Sequence, residues 1–312
     1  MFSQIALGTV EQGLMYAIMV VGVYLTFRIL DYADLSVDGS FTLGAATAAT
    51  LIFRGYNPWL ATGIAFLTGC LAGLFTGVLH TKFKITPLLS GILTMTALYS
   101  VNLRVMGRAN VSLLQARTIF SDFGKIPGMQ EYGVISLSLL TVALVGLLLY
   151  LFLQTELGLA LRATGDNELM IRSLGVNTDA MKMLGLALSN GVVAFAGSYV
   201  AQNQQFADAS MGIGMIIAGL ASVIIGEVLI GTSSIGRTLI AVICGGVIYR
   251  VIIALVLQLG LAPTDLKLVT ACIVIIALVS PRIRSKIFSL SSGVRGKGAN
   301  YAKCSESNQS LQ

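Results

Sequence analysis

The sequence predicts an all-α integral membrane protein of about nine transmembrane helices (eight to ten) in two inverted repeats. A polar helical segment on the cytoplasmic side separates the two copies. Three observations carry this prediction. Mean hydropathy is +0.85 and only 11% of the 312 residues are charged, where a soluble domain carries roughly 25%. The apolar runs are continuous rather than alternating, which selects helices over a barrel, because barrel strands turn every second residue to the lumen. One polar island, Glu156 to Lys182, stands between uncharged runs at 132–155 and 183–207, each longer than the roughly 20 residues that cross a bilayer.

In chain order, spans are expected near 4–30, 39–53, 57–80, 85–106, 133–154, 183–204, 211–231, 237–259 and 265–284. The first begins MFSQIALGTVEQG, with no basic n-region and no small-residue cleavage site. It therefore reads as a retained span rather than a signal peptide. The second, near 39–53, is too short to cross comfortably. Thirty-four glycines suit helices packed closely in lipid, and Thr94, Thr96 and Asn102 on the fourth span suit hydrogen bonds between helices. One transmembrane unit is expected over 1–290, with halves at about 4–106 and 183–284. The Ser-, Gly- and Lys-rich stretch 291–312 is expected to be a disordered cytoplasmic tail.

Basic residues orient the bundle. Arg28, Lys82, Lys84, Arg162, Arg172, Lys182, Arg237 and six tail residues fall on one side. Arg54, Arg104, Arg108, Arg117, Lys125 and Lys267 fall on the other, and Arg250 lies within a span. The bias puts the N-terminus outside, with the island and the C-terminus in the cytoplasm. Net charge +6 is thus an orientation signal, and no nucleic-acid partner is expected.

The repeat rests on Tyr32-Ala33-Asp34-Leu35-Ser36 and Phe206-Ala207-Asp208-Ala209-Ser210, both aromatic-Ala-Asp-x-Ser and 174 positions apart. Thr86-Pro87-Leu88 and Ala262-Pro263-Thr264 precede later spans in the same way. An odd number of spans between the starting points inverts the second copy, the plan of many transporters.

Within the island, Thr164-Gly165-Asp166 is expected to break the chain. Asp166 or Asn167 then caps the next helix, since a short side-chain oxygen accepts orphan N–H groups. Glu168 sits in its first turn, where negative charge suits the helix dipole, and Gly175 supplies a left-handed stop. A two-turn helix follows, with Leu169, Met170 and Leu174 free to pack and Arg162 and Arg172 nearby. Polar residues at membrane depth form the second group. Asp34, Ser36, Asp38 and Ser40 either line or brace a broken helix, or form a solvated acidic turn. Asn190, Tyr199, Gln202 and Asn203 in the second half either contact a pathway or pair with other helices. Glu227 and Arg250, on neighbouring spans, read as a structural salt link.

Gly158, Arg162-Ala163, Gly165, Asn167 and Gly175-Val176 resemble the cytoplasmic coupling segment of ABC-importer permeases, most closely those of the branched-chain amino acid and ribose permease family. Asp34-Leu35-Ser36-Val37 with Gly39-Ser40 resembles the Asp-Leu-Ser-Val-Gly-Ser stretch of its sugar members, with Asp38 inserted. Ile171-Arg172-Ser173 replaces alanines common ahead of the glycine. The resemblance covers nearly the whole chain. It implies a bacterial inner-membrane permease subunit that pairs with a second permease copy, identical or a close paralogue. Partners would be a separate ABC ATPase subunit inside and an extracytoplasmic substrate-binding protein. The expected coupling residues are Glu156, Gly158, Arg162, Ala163, Gly165, Asp166, Asn167, Leu169, Arg172, Gly175 and Val176. The small-molecule substrate is expected to be an amino acid, because the island most resembles that branch. In the 107–132 loop, Arg108, Arg117, Lys125 and Glu131 are the expected contacts for the binding protein.

No catalytic activity, cofactor or metal is expected. Gly226 to Ser233 has the glycine spacing of a phosphate-binding loop, but Thr232 stands where its lysine belongs. Cys70, Cys244, Cys272, Cys304 and the single His80 show no ligand spacing. The rival reading is an ion-coupled secondary transporter using Glu227, Asp34 or Asp208.

Overall fold

A computed structural model describes residues 2–123, 133–258, 268–273 and 275, with side chains from Leu7. Helix α1 (Phe2–Tyr24) continues as a π-helical stretch, Leu25–Ile29. Then come α2 (Ser36–Phe53), α3 (Pro58–Thr81), α4 (Pro87–Met106), the strand β1 (Asn110–Ser112), α5 (Ile119–Phe123) and α6 (Gly133–Gln154). The island folds as α7 (Glu156–Asp166) and α8 (Glu168–Ser173). Beyond it lie α9 (Thr178–Gln204), β2 (Phe206–Asp208), α10 (Met215–Ile230) and α11 (Ile235–Gln258). Strands β1 and β2 pair antiparallel, Val111 opposite Ala207, and tie the 107–118 loop to the far end of α9.

Local chemistry sets the helix ends. Pro58 opens α3 behind Asn57, whose Oδ1 accepts from Trp59 N at 3.0 Å, and Pro87 opens α4. Proline suits a first turn because the missing N–H is one of the orphans. Gly107, at φ +68°, ends α4 in the left-handed region. Six helices among the described residues are long and apolar enough to cross a membrane: Leu7–Ile29, α3, α4, α6, α9 and α11. α2 and α10 are shorter or more polar. The expected ninth span lies mostly outside the described residues. Lys125, Glu131 and the 291–312 tail lie outside them altogether.

α1 and α9 form the centre. Their most apolar stretches are 78% and 72% buried, against 28% for α4 and α6. α1 packs on α10 and α11, α9 packs on α2 and α3, and the two central helices touch each other. Ser189 Oγ bridges them, donating to Gly22 O at 2.7 Å. α2 is sheathed on nearly every side, with only Thr50, Leu51 and Phe53 outside its buried set. That is why a helix carrying Asp38 is tolerated there. In lipid no hydrophobic force drives helices together, so close backbone approach and dispersion must do so. Gly44 of α2 lies so near α9 that a Cβ would stand 1.8 Å from Ala194 O.

Gly44→Val is expected to destabilise the fold by at least about 2 kcal/mol, the scale of overpacking. Gly63→Ala, with nothing within 4 Å of the added carbon, should melt with wild type. Fluorescence-detected unfolding in detergent would read both. Equal melting of all three proteins would contradict the α2–α9 packing.

Candidate functional site

Two turns, one buried in the bundle and one partly open to solvent, are closed by aspartates. At the first, Asp34 Oδ1 accepts from Ser36 N at 2.8 Å and from Ser36 Oγ at 2.5 Å. Its Oδ2 accepts from Asn190 Nδ2 at 2.8 Å. Asn190 also donates to Leu186 O, so it is spliced into α9 while it holds the turn before α2. Asn190 lies twelve residues into α9, about 18 Å along its axis. Asp34 is 1% exposed and Ser36 and Ser40 are buried, so these residues brace a break inside protein. Asp31, by contrast, is exposed and matches the solvated-turn reading. Ser40 Oγ has no partner among the described residues.

Asp38 does something the sequence did not announce. From the first turn of α2 it reaches the start of α10, where Oδ2 accepts from Gly214 N and Oδ1 from Ile216 N, both at 2.8 Å. Thr42 Oγ1 accepts from Gly212 N at 3.1 Å. The orphan amides of one interior helix start are therefore satisfied by side chains of another. Beside this crossing lies a 210 Å³ cleft, lined by Asp38, Thr42, Thr96, Tyr99, Asn102 and Ile213 among others. Asn102 itself donates to Gly39 O at 3.2 Å, as expected of an interhelical bond. Thr94 likewise accepts from Thr76 Oγ1 at 3.0 Å, whereas Thr96 bonds only within its own helix.

The second aspartate turn repeats the chemistry of the first. Asp208 Oδ1 accepts from Ser210 N at 2.8 Å and from Ser210 Oγ, bonds that hold its carboxyl below the usual range. Nearby, Gln202 clamps three elements: Nε2 donates to Thr62 Oγ1 at 2.8 Å and Oε1 accepts from Ile119 N at 3.2 Å. Tyr199 packs edge-on to Phe120, centroids 4.8 Å apart, and its hydroxyl meets Thr141 Oγ1 at 3.3 Å. Both hold the α5 segment to α9. Asn203 is half-buried. His80 Nδ1 bonds Ile85 O at 2.8 Å and its ring meets Tyr32 edge-on, a structural setting.

At the opposite end of α9 the island is a braced platform. α7 runs through Thr164-Gly165-Asp166, and the break falls at Asn167, one residue later than the sequence suggested. Gly165 serves close approach instead: a Cβ there would stand 2.0 Å from Ile29 O. Gly158 similarly abuts Phe152 O. Asn167 is the cap, its Oδ1 accepting from Met170 N at 3.0 Å, while Asp166 is exposed. Glu168 accepts from Lys182 Nζ at 2.6 Å and Thr178 Oγ1 at 3.2 Å. The Lys182 bond above all keeps its carboxyl below the ordinary value. Arg172 faces Asp179 at 3.7 Å, and Gly175 turns the chain at φ +87°. Outward from this frame stand Leu169, Met170 and Leu174, 80%, 58% and 67% exposed. Glu156 is exposed, while Arg162, Ala163 and Val176 are half-buried. Arg162 and Ala163 line a 710 Å³ cleft together with Arg28 and Asp31.

The expected Glu227–Arg250 link is not formed. Glu227 pairs with Arg28, Nε to Oε1 3.0 Å, and Arg250 lies over the Tyr16 ring at 3.6 Å. Helical spacing placed both residues on neighbouring helices but could not assign partners contributed by α1. Among the described residues no group of His, Cys, Asp and Glu is placed to hold a metal.

A family profile described as the branched-chain amino acid transport system / permease component matches residues 5–279. The tyrosine transport system permease protein of Clostridioides difficile (strain R20291) is 44% identical over 274 residues, 88% of this chain and 90% of that one. The galactofuranose transporter permease protein YtfT of Escherichia coli (strain K12) is 30% identical over 273 residues, 85% of this chain and 75% of that one. The autoinducer 2 import system permease protein LsrC of Escherichia coli O9:H4 (strain HS) is 28% identical over 195 residues, 62% of this chain and 56% of that one. No solved structure matches. The chain belongs to the branched-chain amino acid transport permease family.

Asn190→Ala strands the inner carboxylate oxygen of Asp34 and should cost about 2–4 kcal/mol. Melting at the wild-type temperature would show that Asp34 does not depend on this amide. The Glu168 carboxyl sits below its ordinary 4.5. Its ion pair therefore contributes fully above that value and is lost as pH falls through the depressed one. Hydrogen exchange of 167–176, corrected for intrinsic rates, should lose protection as pH falls below 4.5, and Glu168→Gln should flatten that dependence. A pH-independent wild-type profile would rule this out.

Proposed function

We propose that this family member is the membrane-spanning permease of a bacterial ABC importer for an amino acid. A separate ATPase docks on the island, and an extracytoplasmic binding protein delivers solute to the opposite end. The observation that carries this reading is the platform itself. Leu169 and Met170 of a six-residue helix, and Leu174 just beyond it, are held outward; ion pairs fix that helix to α9, and Gly165 seats the preceding α7 on Ile29. Such a patch is out of place on a free surface and in place in a groove. Coupling requires that the ATPase bind one permease conformation better than another, since a ligand shifts an equilibrium only by its differential affinity. A rigid lever on the two central helices carries that difference inward; a loose loop would dissipate it. The coupling residues are Glu156, Gly158, Arg162, Ala163, Gly165, Asp166, Asn167, Leu169, Arg172, Gly175 and Val176. Gly158 and Gly165 act by seating α7.

The same reading puts the island and C-terminus in the cytoplasm, following the basic residues, and counts nine spans in two inverted copies. Three features support the copies: the matched Asp-x-Ser turns, α1 on α11 mirroring α9 on α3, and α1 on α10 mirroring α9 on α2. Asp38 stands at the translocation pathway, while Asp34, Ser36, Ser40, Asn190, Tyr199 and Gln202 brace its walls. The binding protein docks over the 850 Å³ cleft that holds Trp59, Arg108 and Arg117. A second permease copy completes the pathway. An amino acid substrate is favoured by the 44% identity to a tyrosine system permease. The ion-coupled alternative is disfavoured because Asp34, Asp38 and Asp208 each accept hydrogen bonds from neighbouring amides.

Leu169→Glu with Leu174→Glu should leave melting unchanged and reduce the ATPase subunit co-purified from native membranes at least about ten-fold, as for loss of two interface anchors. Undiminished recovery from the double variant, or a wild-type chain that purifies alone, would defeat the proposal.

A further inference from the structure

A 460 Å³ cleft lies where α1, α10 and α11 meet the described 268–273 segment. Its lining includes Tyr16, Met19, Ile213, Ser222, Tyr249 and Arg250. The size is that of a small-molecule site, 300–1,000 Å³ or so, and the walls are mostly apolar. Arg250 is the one charged residue in this lining. It lies fifteen residues beyond the start of α11 and eight before its end, about 12 Å from the nearer terminus, so its position is not that of a residue anchoring a helix end.

Its partners are the informative part. Among the described residues no carboxylate pairs with Arg250 and none accepts a hydrogen bond from it. Asp38, which borders the cleft through Gly214, accepts from Gly214 N and Ile216 N, and Glu227 lies 3.0 Å from Arg28. What Arg250 has is the Tyr16 ring, 3.6 Å beneath its guanidinium carbon. Tyr16 is fixed in turn by stacking on buried Phe41, centroids 6.0 Å apart. A cation–π contact holds a guanidinium in place but leaves its charge uncancelled and its planar fork of donors unused. A cation within an apolar helix bundle, with no carboxylate partner among the described residues, defaults to function.

We propose that Arg250, laid on Tyr16, is a transient subsite for the carboxylate of the transported amino acid, with Tyr249 and the apolar walls receiving its side chain. This rests on the amino-acid importer reading above and adds the group that would recognise the substrate inside the membrane. Arginine suits the task because its fork matches a carboxylate in two parallel bonds. The ring suits it as well, because a pathway site must hold solute firmly enough to admit it and loosely enough to release it. A buried aspartate in place of Tyr16 would neutralise the arginine and abolish the site.

The test uses the intact importer, permease with its ATPase, in proteoliposomes supplied with binding protein. The probe is radiolabelled tyrosine, with leucine in parallel. Arg250→Gln should cut uptake at least ten-fold while ATPase stimulation by the binding protein stays within two-fold, and Arg250→Lys should keep at least a third of wild-type uptake. Unchanged uptake by Arg250→Gln overturns the subsite. So does a parallel fall of uptake and ATPase in both variants, which would mark a structural role. A loss seen only in vesicles containing anionic lipid also overturns it, by assigning the guanidinium to a headgroup. If Arg250→Gln cannot be purified, Arg250→Lys decides: a raised KM for tyrosine at unchanged stimulated ATPase supports the subsite, and an unchanged KM removes it. A wild-type complex that hydrolyses ATP but moves neither amino acid defeats the importer reading and the subsite together. Normal wild-type uptake with an indifferent Arg250 defeats the subsite alone.

Discussion

Starting a helix inside a packed bundle strands its first amides, and the fold depends on how those amides are answered. α10 begins in the interior, and Asp38 of α2 accepts from both Gly214 N and Ile216 N. α2 begins in the interior too, behind Asp34, which closes on Ser36 and is held by Asn190 of α9. An apolar residue at either position would leave amides unmet in a place without water, at a cost of several kcal/mol each. Asp38 meets two donors and Asp34 three, and the burial of each carboxylate is offset by those donors. The pathway reading, the central position of α9 and the cleft beside α2 all require these two starts to stay where they are.

The same arrangement gives the platform something to act on. α7 touches Ile29 through Gly165, and α8 is tied to α9 through Glu168–Lys182 and Arg172–Asp179. Twelve residues along, α9 grips Asp34, and at its far end Gln202 grips Thr62 and the α5 segment. A displacement of the platform thus has a continuous, hydrogen-bonded path to both interior helix starts and to the opposite end. The Arg28–Glu227 pair joins α1 to α10 beside this path. Arg28 is half exposed, so that pair is weak and readily broken, as suits a contact between elements that move.

Much of this was legible in the sequence, and the failures have one cause. Hydropathy located the helices because the period and length of an apolar run are local properties. Asn167 and Gly175 were legible because capping and left-handed turns are decided within four residues. Gly165 was misread as a breaker because a missing Cβ looks the same whether it frees the backbone or admits a neighbour, and Ile29 is far away in sequence. For Tyr199 and Gln202 the sequence offered pathway contact or interhelical pairing without naming a partner, because Phe120, Thr62 and Ile119 lie on distant elements. Arg250 and Glu227 were wrongly joined, since the neighbours they meet, Tyr16 and Arg28, both come from the first span.

On the two-copy reading, the matched turns also say where the halves part company. Asp34 and Asp208 make the same pair of bonds to a serine two residues on. The first is sealed in protein and needs Asn190 for its other oxygen, whereas the second is partly open to solvent, which can solvate what protein does not. A buried turn with a fixed partner cannot shift without exposing an unpaired charge, and a solvated one can. The start of α2 is therefore the more deeply enclosed of the two. The start of α10, flanked by Gly212 and Gly214, depends on Asp38 reaching it from across the bundle. Ile213, Gly214 and Met215 of that start also line the cleft of Arg250, so the crossing that Asp38 closes shapes that pocket as well.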